Sequence, residues 1–271
     1  MPMALRGNSH VKYTSASGLP DWEGSISGIV QGSSLVPTTQ IPNLQYAEEI
    51  KLGSNVTGID NYAFYGCSNL RKVEVPSTIT EIGSYVFRNS GLASFTIPNG
   101  VTNIKLGAFY DCGNLQSLII PPSVTTIGNT VFRSCGLQGD FTIPDSVTSL
   151  GNSVFFYCED LTSVTIGSQV TYIGTSLFRN CVGLTSLAFP AGVTKIGNYA
   201  FRGCTSLATY DFRRASSVPE LVSTAAFQDT PSSMEIIVPD NLYDSWIAAD
   251  GWSVEAEYIV KASQSSLGPL A

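Results

Sequence analysis

Apolar residues recur along this chain in fixed columns. Phenylalanine stands at positions 64, 87, 109, 132, 155, 178 and 201, a nearly constant step. Eight positions before each lies a β-branched residue (Val56, Ile79, Val101, Val124, Val147, Val170, Val193), and five before each lies Ile or Leu, from Ile59 to Ile196. A period of this length predicts stacked turns of a solenoid, because one turn cannot bury its own apolar edge. The second half of each unit places apolar residues at strand spacing, as in Leu161-x-x-Val164-x-Ile166 and Leu184-x-x-Leu187-x-Phe189. That alternation predicts a strand. Expected rungs run from Ile50/Leu52 through Val73/Val75, Phe95/Ile97, Leu118/Ile120, Phe141/Ile143, Val164/Ile166, Leu187/Phe189 and Tyr210/Phe212 to Ile236/Val238. Pro76, Pro98, Pro121, Pro144 and Pro190 follow strands, where a residue without an N–H fits.

The first half of the unit, Gly-Asn-x-x-Phe-x-x-Cys, is too short for an independent helix. It predicts one or two tight helical turns opposite the strands. Gly83, Gly128, Gly151, Gly174 and Gly197 mark the bend entering it, where a positive φ is expected. Asp60 and Lys105 interrupt that column. The expected fold class is an α/β repeat solenoid with about 22–23 residues per turn, inside the range of leucine-rich arrays. One parallel β-sheet forms a face, with short helical turns opposite.

Residues 1–46 fall outside the period and are rich in Ser, Gly, Thr and Pro. An open first rung invites association, so this segment reads as an irregular cap or as an attachment segment for a larger assembly. Its short alternating runs, around His10–Tyr13 and Ile26–Val30, suit strands. Trp22 is expected to plug the core end or to contact a partner, and His10 to be an ordinary exposed residue. The array itself spans 47–239. At 240–262 a C-terminal cap is expected: a helix from Asn241 to about Ala249 with Asp240 as N-cap, then a strand over Val254–Val260, with Trp246 and Trp252 plugging the core. Residues 263–271 read as a flexible tail. A bulge is expected near Gly139, where the stretch from Leu137 to Phe141 carries an extra residue.

The stretch VTKIGNYAFRGCTSL at 193–207 resembles the repeat of the BspA-like leucine-rich repeat family, found on bacterial cell surfaces and in other microbes and viruses. The resemblance covers about residues 47–239. It implies a leucine-rich repeat array and, by analogy only, adhesion or the binding of proteins and host surfaces. The closing stretch around Val238–Trp246 is similar to endings of other arrays of this type.

Charged residues make up only 13% of the chain, well under the usual ~25%, so the surface is built from Ser, Thr, Asn and Gly. The net charge of −7 argues against a phosphate-binding role on nucleic acid. No apolar run is long enough to span a membrane. The N-terminal stretch MPMALRGNSH shows no apolar leader core. The location expected is extracellular: a cell surface reached after leader removal or by another route, or a virion released by lysis.

Six cysteines occupy one column, three after the phenylalanine: Cys67, Cys112, Cys135, Cys158, Cys181 and Cys204, with Ser90 in the vacant slot. Parallel stacking leaves no natural disulfide pairing, and spacings of a whole turn or more are unlike zinc sites. Buried free thiols are expected. No catalytic motif is legible, the single histidine has no partner in sequence, and no enzyme activity, cofactor or metal is expected.

Three columns remain. Outward strand positions include Ser94, Thr96, Ser117, Ile119, Asp140, Thr142, Ser163 and Thr165, a small hydroxyl-rich face able to meet a protein or glycan. Seven positions before the Phe, threonine occurs in every unit, from Thr57 to Thr194, which predicts hydroxyls bonding along the array or to turn backbone. One after the Phe come Tyr65, Arg88, Tyr110, Arg133, Phe156, Arg179 and Arg202. These read either as a self-stacking cation–π ladder or as a ligand face. The functional expectation is a non-enzymatic adhesion module for a protein or glycan surface. The alternative is a structural or decoration component of a larger particle, attached through residues 1–46.

Overall fold

The structure, a computed structural model, describes residues 9–15, 22–26, 46–54 and 56–268. The chain divides into two units, Met1–Leu137 and Gln138–Ala271. Both are built as parallel β-solenoid with little helix.

The first unit contains β1 (Ser9–Ser15), β2 (Trp22–Ile26), β3 (Ala47–Leu52), β4 (Gly58–Ile59), β5 (Lys72–Glu74), β6 (Glu81–Ile82), β7 (Ser94–Thr96), β8 (Asn103–Ile104), β9 (Ser117–Ile119) and β10 (Thr126–Ile127). β3 pairs in parallel with β5, and β7 with β9, each in rung register (Ile50↔Val73, Phe95↔Leu118). β4, β6, β8 and β10 form a second parallel ladder, which the spacing of apolar residues does not separate from the bend that follows it. β1 runs antiparallel to both β2 and β3, with Tyr13 opposite Trp22 and Ile50. β1 and β2 therefore extend the first rung's sheet through backbone hydrogen bonds. The expectations for the side chains of His10 and Trp22 lie outside the described residues.

The second unit contains β11 (Gly139–Thr142), β12 (Ser149–Leu150), β13 (Leu161–Thr165), β14 (Tyr172–Ile173), β15 (Ser186–Ala188), β16 (Lys195–Ile196), β17 (Thr209–Asp211), β18 (Glu220–Leu221), β19 (Glu235–Val238) and β20 (Ile259–Lys261). β11, β13, β15, β17, β19 and β20 form a six-stranded sheet, and β14, β16 and β18 a second ladder. The register does shift at Gly139/Asp140, opposite Leu161 and Ser163, which places the extra residue, Thr162, on β13.

The repeat phenylalanines make the core. Rings of successive rungs stack at 5.4, 5.3 and 5.8 Å from Phe64 through Phe87 and Phe109 to Phe132. In the second unit they stack at 5.4, 6.2 and 5.6 Å from Phe155 through Phe178 and Phe201 to Phe227. All but the last are fully buried. Flat rings at rung spacing fit because the offset stack satisfies the ring quadrupole.

The expected helical turns are not helices. Among the described residues 61–205 that half of each unit is a chain of tight turns. Two positions per unit lie at positive φ. One is two before the Phe: Tyr62, Tyr85, Gly107, Thr130, Ser153, Ser176 and Tyr199. The other is two after it: Gly66, Asn89, Asp111, Ser134, Tyr157, Asn180 and Gly203. The hydrogen bonds explain this. Tyr62, Phe64 and Gly66 donate their N–H groups to Ser84, Val86 and Arg88 of the next rung, while Ala63, Tyr65 and Cys67 close turns to residues three back. Alternate amides thus point along the array and into the turn, which a helix does not allow. The bend glycines Gly83, Gly128, Gly174 and Gly197 lie outside the positive-φ set. Gly83 is needed for close approach: a Cβ there would sit 2.5 Å from the backbone of Asp60 and Asn61.

At the C-terminal end, Pro239 leads into a 3₁₀ turn (Asp240–Leu242), then α1 (Tyr243–Ala248), then a second 3₁₀ stretch (Trp252–Tyr258). This shortens the expected helix, and the expected strand is only β20. Asp240 is not the helix cap; its Oδ1 accepts the Ser263 N–H at 3.0 Å. Trp246 and Trp252 are fully buried, 5.4 Å apart, and both rings meet Phe212. The expected free tail is tied down over 263–268: the Ser266 hydroxyl donates to Glu235 at 2.6 Å and Arg213 donates to the Gly268 carbonyl. Residues 269–271 lie outside the described residues.

Candidate binding faces

The strands position the first face. With Val73, Phe95, Phe141, Val164 and Leu187 turned inward and buried, their neighbours must point out. In the first unit Ser94, Thr96, Ser117 and Ile119 are exposed, Ile119 to 63%. In the second unit Asp140, Thr142 and Thr165 are exposed and Ser163 is half-buried. Of these eight positions all but Ser163 are exposed, whereas Thr209 and Asp211, also expected on this face, are half-buried.

The turn side is organised differently. Arg88 lies over three rings: Tyr110 at 4.5 Å, Tyr65 at 5.6 Å and Tyr85 at 5.7 Å. Arg133 lies over Tyr110 at 5.3 Å. In the second unit Arg179 covers Phe156 at 5.2 Å and Tyr199 at 5.5 Å, and Arg202 covers Tyr199 while its Nε approaches Asp229 at 3.4 Å. The Nε atoms of Arg88 and Arg179 are buried without a hydrogen-bond partner. Their charge is held chiefly by ring faces, an interaction of ~0.5–2 kcal/mol per desolvated contact. Tyr85 and Tyr199, which complete these stacks, were missed by sequence reasoning. They sit in the positive-φ column two before the Phe, and only the turn geometry brings that column beside the one after it. Tyr85 also lies against Gly107, where a Cβ would meet its ring at 2.3 Å.

The threonine column bonds along the array. Thr80, Thr125 and Thr194 each donate the hydroxyl, at 3.2–3.3 Å, to the carbonyl of the threonine one rung back, and their own N–H groups reach the same oxygens at 2.9 Å. The six thiols are buried and none is joined in a disulfide. Cys112, Cys135, Cys181 and Cys204 donate to the carbonyl of a repeat phenylalanine in an earlier rung at 2.9–3.0 Å. Burial pushes the thiols of Cys67 and Cys204 up to about 12, so they stay protonated and chemically inert. Ser90, in the same column, is buried and lies 3.4 Å from the Cys112 sulfur.

No group of metal-ligating residues occurs among the described residues, and no described helix is long and apolar enough to cross a membrane.

A parallel solenoid with a buried Phe ladder, a thiol column and two strand ladders per turn is a leucine-rich repeat architecture. The profile of the BspA type leucine rich repeat region, in 6 copies, matches residues 42–140 and 138–245, and the chain belongs to that family. Among solved structures it is similar to the leucine-rich repeat protein TpLRR of T. pallidum: 31% identity over 59% of this chain and 83% of that one, TM-score 0.55. It is also similar to a leucine-rich repeat protein of Bacteroides ovatus: 25% identity over 79% of this chain and 66% of that one, TM-score 0.51. No curated protein matches it.

Proposed function

We propose that this protein is a non-enzymatic recognition module that attaches to a protein or glycan surface outside the cell through its strand face. One observation carries the reading. Outward strand side chains such as Ser117, Thr142 and Thr165 are exposed hydroxyls, whereas the arginines of the turn side are already occupied by their own rings. Family membership supports it, since repeat arrays of this kind present extended faces to partners. The particle-component reading needs residues 1–46 for attachment, and β1 and β2 are engaged in pairing with each other and with β3. A cap is the better account of that segment. A chain starting at Ala47 should then melt lower and aggregate; a monomeric truncation of equal stability would return the attachment reading.

Attachment to intact cells or matrix is the direct test. Thr142→Arg with Thr165→Arg should abolish it at unchanged melting temperature, while Arg88→Ser with Arg179→Ser should lower the melting temperature and leave attachment of the folded protein intact. The reverse pattern would move the ligand to the turn side.

A further inference from the structure

The strand face of the first unit is interrupted at one place. β5 is the last strand of the sheet β2–β1–β3–β5, and β7 begins a separate sheet with β9. The turn that leads into β7 is one residue short. From Cys67 to Leu70 the chain takes three steps, but from Ser90 to Leu92 only two. The shortened turn draws Gly91 against the previous rung, where a Cβ would lie 2.2 Å from the Ser68 carbonyl oxygen. The two strands start one rung apart, with the Ala93 N–H bonded to the Arg71 carbonyl at 3.2 Å, and do not pair beyond it.

The interruption is an open cleft of about 550 Å³, within the usual range for small-molecule sites. Its polar lining comprises Lys72, Glu74 and Ser77 on one side and Ser94, Thr96 and Asn99 on the other, over an apolar floor. The Glu74 carboxylate accepts from Lys72 at 2.6 Å and from Lys51 at 3.2 Å. These contacts hold Glu74 below the usual carboxylate range and Lys72 above the usual amine range, so both charges persist at neutral pH. Glu49 also faces Lys72, which brings this cluster of two ammoniums and two carboxylates to a net charge near zero. The cleft thus offers fixed donors and acceptors, three hydroxyls and an amide, but no surplus charge. A phosphate or sulfate would find no uncompensated cation. An extended peptide strand would need two rung spacings, roughly 9.6 Å, between β5 and β7, and the Ala93–Arg71 bond holds them at one.

We propose that the cleft between β5 and β7 is a subsite for a neutral, hydroxyl-rich saccharide. This rests on the surface-recognition reading above and names the ligand class for one part of the face. The probes are maltohexaose, cellohexaose, mannohexaose and chitohexaose, with a sulfated heparin hexasaccharide and an unstructured peptide as contrasts, titrated calorimetrically into the full chain. At least one neutral hexasaccharide should bind. Thr96→Trp, which fills the cleft from an exposed position, should weaken it by roughly tenfold or more, a change of about 1.4 kcal/mol. Val254→Trp, at an exposed position in the 3₁₀ stretch Trp252–Tyr258 of the second unit, should leave it unchanged. Binding that survives Thr96→Trp, binding confined to the sulfated probe or the peptide, or no binding at all overturns the proposal. Attachment to cells that persists without saccharide binding would overturn the subsite alone; loss of specific attachment by the wild-type chain would remove the broader reading.

Discussion

On the strand side of the first unit, Ser94, Thr96, Ser117 and Ile119 stand exposed beside one another. On the turn side, Arg88 is wedged among Tyr65, Tyr85 and Tyr110. Both sides carry columns that recur once per turn, and both contain residue types that proteins use for binding. They differ in what the backbone leaves the side chains to do. A strand sends alternate side chains outward, parallel to those of the next rung and with nothing between them. The turn side crowds two columns together at its positive-φ corners, and the long side chains satisfy each other. Tyrosine and arginine in a repeated column are therefore a poor sign of a ligand face when they can reach each other across rungs.

This contrast can be broken most severely at its common support. Phe109→Ala removes a fully buried ring from the stack between Phe87 and Phe132 and should cost about 3–5 kcal/mol, read as a fall in denaturation midpoint. Next, Arg88→Ala should cost about 1–2 kcal/mol. Ser117→Ala on the strand side should stay within about 0.5 kcal/mol. Equal losses at the two positions would end the distinction between a self-satisfied side and a free one. The corners themselves are tested at Ser134, whose φ is +55°. Ser134→Val should destabilise by roughly 1–2 kcal/mol, and Ser134→Gly should be near neutral, relief of strain being offset by the entropy glycine loses on folding.

A pH-dependent effect is expected near the C-terminus. Glu255 is largely buried, and burial, with Glu257 nearby, raises its carboxyl above the usual glutamate range. The folded state therefore binds this proton more tightly than the unfolded chain does. Its favourable contribution is complete below the unfolded value and is lost as pH rises through the raised folded value. Glu255→Gln should flatten the decline in melting temperature across that window and melt no lower than the wild type at neutral pH. A steeper decline in the variant would show that the carboxylate is stabilised there.

Much of the array was legible beforehand because it depends on spacing alone. The strand registers, the buried Phe and Cys columns, the outward strand positions and the threonine bonds all follow from the period of the turn and the alternation of side chains along strands. The turns were not legible. Helix is the expectation around Phe64 and its equivalents, yet the residues two before and two after the phenylalanines adopt positive φ, and tyrosine, serine and asparagine there give no uniform glycine signal. The choice is made by amides that must alternate between the next rung and their own turn. The cleft at β5 and β7 was half legible. The one short step, from Phe87 to Phe109, is plain in the sequence, but nothing there says that the lost residue would unzip two strands rather than be absorbed in a turn.

By itself, then, the sequence determined the repeat, its core and its family, since burying a periodic apolar edge admits one kind of stacking. Tertiary structure alone decided which outer columns are spent on each other and which remain open. Whether Arg88 meets solvent or three tyrosines depends on distances between rungs, and those are set by the backbone path at the corners.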